Sequence, residues 1–216
     1  GALFRGTGRP KGARSRPRGG VPPFAKHVFR TRIMRRSLFA GIAAGLLAVA
    51  LPAFSATQME ELAQTLHDNE FSAQVEKLIK NGRSAQALEL ADLGLERNNR
   101  NAQLRFMRAV ALETLGRKEE SAKELRSLIS AYPEIPEPYN NLAVIEAGFG
   151  NLEESLRLLT RALQINPDFQ LARKNVGDVY LALAIEAYEA SAPSFPRNAE
   201  LQTRLKTLKR ITASGL

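Results

Sequence analysis

PEPYNNLAVIEAGFGNLEESLRLLTRALQINPDF, residues 136 to 169, decides the fold. Gly150 separates two amphipathic stretches, and Pro167 closes the second. Glycine ends a helix because it takes a left-handed backbone without steric penalty. Proline stops the next one because it lacks the N–H and its ring clashes with the preceding turn. The stretch therefore reads as helix, tight turn, helix, stop.

The same punctuation recurs upstream. Gly82, Gly116 and Gly150 are spaced 34 residues apart, and Pro133 and Pro167 follow the last two at a fixed offset, with Asn99 in that place after Gly82. Small residues share the register as well: Ala87, Ser121 and Ser155 after each glycine, and Val75, Ala109 and Ala143 before it. Bulky positions line up as Ala91, Leu125, Leu159 and as Leu95, Ile129, Leu163. A constant period of this size is the mark of a repeat array, in which each unit buries its apolar face only against its neighbours.

Residues 136–169 resemble a tetratricopeptide repeat over their full length. Tyr139, Leu142, Ala143, Gly150, Leu152, Ser155, Leu159, Ala162 and Pro167 stand where that family keeps its packing residues. The likeness weakens toward the N-terminus and covers roughly residues 68 to 196, which suits a bacterial (proteobacterial-type) exported protein of this family. It implies an all-α superhelix of three hairpins, at 68–101, 102–135 and 136–169. A divergent fourth unit at 170–196 and a capping helix at 197–216 complete the array. The fourth unit loses its turn, because VYLALAIEAYEASA runs from Val179 to Ala192 without glycine or proline, and one long helix is expected there. In the last segment Leu201, Leu205, Leu208 and Ile211 form a narrow apolar stripe beside Arg204, Lys206, Lys209 and Arg210. The second unit places Arg105 and Arg108 at normally apolar positions. Either its first helix is rotated onto Leu104, Phe106 and Ala111, or the arginine stems lie along the core and expose their heads.

The net charge of +9 is misleading. Of 31 basic residues, 11 precede residue 57, where there is no acid, which leaves 20 basic against 22 acidic residues beyond. A nucleic-acid partner is therefore not expected for the repeats. Residues 1–33 read as a basic Gly/Arg/Pro-rich leader, upstream of a start at Met34. A basic surface-binding arm and a mitochondrial presequence are the other readings of it. Residues 34–55 read as a secretory signal peptide: Met34-Arg35-Arg36, an uncharged apolar body, Pro52, and small residues for cleavage after Ser55. The paired arginines also suit a twin-arginine route. Residues 56–67 read as a short linker or helix. The expected location is the periplasm, with a membrane-anchored form exposing the repeats on the same side as the alternative.

Chemistry is sparse. The chain has no cysteine, and beyond the leader His67 is the only histidine, so no metal site, cofactor site or backed nucleophile is expected. The pairs Glu119–Glu120 and Glu153–Glu154 open second helices, where the helix dipole favours acids. The groove remains. The resemblance places the first helix of each hairpin along the concave face, in rows reading Ala73, Met107, Asn141, Asn175; Ser72, Phe106, Asn140, Lys174; and Glu76, Val110, Val144, Asp178. The candidate partner-binding residues are Asn140, Asn141, Lys174, Asn175 and Asp178 on a polar half, with Phe106 and Met107 on an apolar half. Asparagine can clamp an extended peptide because it carries both donors and an acceptor. The expected function is a non-catalytic scaffold for a protein or peptide partner. A self-associating subunit using the C-terminal helix, giving a homo-oligomer, and an accessory subunit of an envelope enzyme are the alternatives.

Overall fold

The computed structural model describes residues 53–213, and everything described there is helix or turn. The leader 1–33, the signal segment up to residue 52 and residues 214–216 lie outside the described residues. Helices α1 (Ala53–Thr65), α2 (Phe71–Lys80), α3 (Ser84–Arg97), α4 (Ala102–Thr114) and α5 (Lys118–Ala131) come first. Then follow α6 (Pro136–Gly148), α7 (Leu152–Ile165), α8 (Gln170–Ser191) and α9 (Ala199–Ala213). A short 3₁₀ turn, Ala192–Ser194, ends α8. The architecture is the all-α superhelical array that the repeat period implies. Helix α1 runs through Ser55, so cleavage there would remove its first turn.

The three turns are built alike. Gly82, Gly116 and Gly150 have φ of 72°, 77° and 87°. The residue after each glycine reaches back five positions with its N–H. Arg83 donates to the Leu78 carbonyl, Arg117 to that of Leu112 and Asn151 to that of Glu146, each at 2.9 Å. This Schellman closure satisfies carbonyls that a helix end would otherwise orphan, and it needs the left-handed residue. No atom crowds the missing Cβ at Gly150, so its constraint is backbone conformation alone. Gly150→Val is therefore expected to cost about 1–2 kcal/mol through strain, read as a lowered urea midpoint. An unchanged midpoint would mean the turn tolerates a β-branched residue and does not depend on glycine.

The serines of the register act across the second and third hairpins. Ser121 Oγ donates to the Ala109 carbonyl at 2.8 Å and Ser155 Oγ to that of Ala143 at 2.7 Å, both buried. Small residues at these crossings let the paired helices come close. A carbonyl so approached would lose its water, and the hydroxyl replaces it. One buried apolar cluster runs from Met59 on α1 to Ile145 on α6, and a second joins α6, α7 and α8. From α2 to α9 successive helices pack in sequence order, as a one-dimensional array requires, and α1 lies on α3.

Arg105 and Arg108 keep their guanidinium groups at the helix boundaries. Arg105 Nε bonds Glu124 at 2.7 Å and its Nη2 bonds Ser127 at 2.8 Å. Arg108 Nε bonds Asp92 at 2.5 Å. Leu104, Phe106 and Ala111 are buried alongside them. Helix α4 turns its apolar face inward, and the arginine heads, rather than standing free in solvent, are ion-paired and tie it to α3 and α5.

A candidate binding groove

Among the first helices α2, α4, α6 and α8, α2 packs against α4 and α6 against α8, and the second of these pairs carries the asparagines. On it, the three asparagines make a chain of amides. Asn175 Nδ2 on α8 donates to Asn140 Oδ1 on α6 at 2.9 Å, and Asn140 Nδ2 donates to Asn141 Oδ1 at 3.2 Å. Asn140 and Asn141 are buried and Asn175 is half-buried. Amides survive burial only when paired, and here each satisfies another. Asn141 Nδ2 and Asn175 Oδ1 make no hydrogen bond among the described residues, which leaves one donor and one acceptor on adjacent helices.

Lys174 is exposed and bridges to Asp178 at 2.5 Å, one helical turn on. Neither charge is therefore held in reserve for a partner of its own. Phe106 and Met107, expected on the apolar half of the groove, are 1% and 0% exposed. They belong to the core cluster, because burying such large apolar groups gains more than displaying them. The apolar half of the surface is thus corrected: these two support it from beneath.

Three carboxylates matter that the sequence reading passed over. Glu113 near the end of α4 has its pKa pushed up to about 7, chiefly by burial, with Lys118 acting in the opposite direction. Glu137 in the first turn of α6 is also raised by burial. Glu146 on α6 is buried, paired with Arg126 and accepting from Asn151 Nδ2 at 2.7 Å. The repeat register held the signal. Glu113 stands where the neighbouring units have Ile79 and Ala147, and Glu146 where they have Leu78 and Leu112. An acid at a position that is otherwise apolar marks a departure from pure packing.

A separate depression of about 420 Å³ lies along α7 and is lined only by that helix, from Glu153 to Gln164. A single helix face cannot enclose a ligand, and the site lies away from the asparagines. Among the described residues no three His, Cys, Asp or Glu side chains group to hold a metal ion. No described helix is long and apolar enough to cross a membrane.

A tetratricopeptide repeat profile matches residues 73–136 and 116–169. No curated protein shows significant sequence similarity to the chain. Among solved structures, the first such domain of human RPAP3 superposes with a TM-score of 0.52 at 19% identity, covering 54% of this chain and 92% of that one. The first such domain of Spaghetti (RPAP3), bound to the HSP90 peptide SRMEEVD, superposes with a TM-score of 0.52 at 19% identity, covering 54% and 95%. At this identity the likeness is one of fold.

Proposed function

We propose that residues 73–169, which match a tetratricopeptide repeat profile, form a non-catalytic scaffold that holds an extended segment of a partner protein along its first helices. The observation that carries this is the amide chain of Asn175, Asn140 and Asn141. Its two unused groups, one donor and one acceptor, match the N–H and C=O that an extended backbone presents. Such a clamp reads main chain, so it tolerates many side chains. The Spaghetti domain holds its HSP90 peptide, which supports peptide capture as a use of this fold. An acidic tail is not the partner favoured here, since Lys174 already neutralises Asp178.

The leader's plan, arginines followed by an uncharged apolar run and small residues, supports export to the periplasm. The mass of the protein recovered from the cell envelope tests this: loss of residues 1–55 is expected, and an intact chain in the cytosol would overturn it.

Photo-crosslinking of the chain in its host is the test of the groove. Asn141→Ala combined with Asn175→Ala is expected to cut partner recovery about tenfold, because two charge-neutral hydrogen bonds are lost. A parallel thermal melt separates this from simple destabilisation. If a folded double variant captures the same partners as well as the parent, the groove is not the binding surface.

A further inference from the structure

The two ends of the array carry opposite charge. At the N-terminal end α1 lies on α3, and between them runs a groove of about 320 Å³. Its lining includes Glu60, Leu88, Glu89, Leu93 and Glu96, so carboxylates flank apolar side chains. Asp92 in the same wall is held by Arg108, but Glu60, Glu89 and Glu96 pair with no described cation. Burial, and after it the nearby Glu60, raise the Glu89 carboxyl.

At the other end, α9 carries four basic residues and one acid, Glu200. It packs on α8, and Leu201 is its only buried residue with a described side chain. Leu205 and Leu208 remain half-buried, and Phe195, just ahead of the helix, is 54% exposed. Lys206 pairs with no described acid, while Arg204 and Lys209 are engaged in exposed pairs with Glu200 and Glu189. This helix therefore offers an apolar stripe edged with cations, and the α1–α3 groove offers apolar walls edged with carboxylates.

We propose that copies of this chain associate head to tail, with α9 of one copy seated in the α1–α3 groove of the next. A second copy is the occupant because both complementary surfaces lie on the same chain. They stand at opposite ends of the helix order, so a single array does not bring them together. The two surfaces differ, so the contact is heterologous and propagates into a ring or filament rather than closing as a two-fold dimer. Charge complementarity steers the encounter and the apolar stripe holds it. The asparagine face of α6 and α8 stays open in each copy, and an assembly of this kind would display several such faces side by side.

Sedimentation velocity of the full chain tests this. In about 50 mM salt the average mass is expected to exceed the monomer and grow with concentration, and to fall in about 500 mM salt, where surface charges are screened. Lys206→Glu with Lys209→Glu is expected to weaken association about tenfold, as is Glu89→Lys with Glu96→Lys. Mixing the two variants should restore it, since each reversed end then meets its complement. Far-ultraviolet melts confirm that both variants stay folded. A monomer at every concentration, reversals without effect, or folded variants that fail to recover on mixing would each overturn the proposal. So would a monomer in which Glu89 or Glu96 crosslinks to residues 1–33, because the groove would then belong to the chain's own leader.

Discussion

Gly94→Leu is expected to unfold the first repeat. A Cβ at Gly94 would stand 2.5 Å from Phe71 Cδ1, 2.6 Å from Leu104 Cδ2 and 2.8 Å from Phe71 Cγ, all inside van der Waals contact. Phe71 and Leu104 are each 1% exposed, so neither has anywhere to move. Inserting methylenes into a filled core costs roughly 1–3 kcal/mol, and a whole isobutyl group exceeds that range. A loss of more than about 3 kcal/mol is expected, a large share of the stability of a domain this size. Even Gly94→Ala should destabilise, although alanine favours the helix by about 1 kcal/mol. Shrinking the neighbour, with Phe71→Ala beside Gly94→Leu, should recover part of the loss. Urea unfolding reads all three variants, and Gly94→Ala more stable than the parent would sink the argument.

The damage would spread. Arg97, whose guanidinium lies 5.2 Å from the Phe71 ring centroid, donates to the carbonyls of Ala63 and Leu66 at 3.2 and 3.0 Å. It therefore ties the end of α1 to α3. Displacing Phe71 loosens that tie and with it the α1–α3 groove.

Glu113→Gln is expected to stabilise the protein in alkaline solution. Burial raises the Glu113 carboxyl from 4.5 to about 7, so the folded chain prefers its neutral form. An acid whose folded pKa is raised contributes its full stability below the unfolded value and loses it as pH climbs through the folded one. The contribution is thus complete below pH 4.5 and gone above about pH 7. The difference between 4.5 and about 7 corresponds to roughly 3 kcal/mol, in which the opposing effect of Lys118 is already counted. Glutamine keeps the shape and removes the charge. Its variant should match the parent near pH 4 and exceed it by roughly 3 kcal/mol near pH 8, where the parent carries a buried charge. Parallel pH profiles for the two proteins would show that Glu113 ionises without cost.

Much of the fold was legible because the repeat prints the same physical requirement three times. A left-handed closure demands glycine, so Gly82, Gly116 and Gly150 could be read without coordinates. A close helix crossing demands a small residue, which gave Ala87, Ser121 and Ser155 their common role. The candidate site was less legible. Asn140, Asn141 and Asn175 stood out by position, but nothing in the sequence shows that Asn140 is spent in joining the other two. Phe106 and Met107 share register with those asparagines and yet lie in the core. A register position fixes where a residue sits on its helix and leaves open how deeply its neighbours cover it.

Position 94 shows the same limit most sharply. In register, Gly94 corresponds to Leu128 and Ala162, while Phe71 corresponds to Arg105 and Tyr139. In the first unit the Phe71 ring fills the space that a side chain at Gly94 would take. The sum of the two volumes is what the space between the helices constrains, so either residue alone looks arbitrary. Period, turn chemistry and helical faces are local properties, set by backbone sterics within a few residues, and the sequence determined them by itself. Which side chains are buried, which amides pair, and which carboxylate is pushed toward neutral pH depend on atoms from distant segments sharing one volume. Only the tertiary structure decided those.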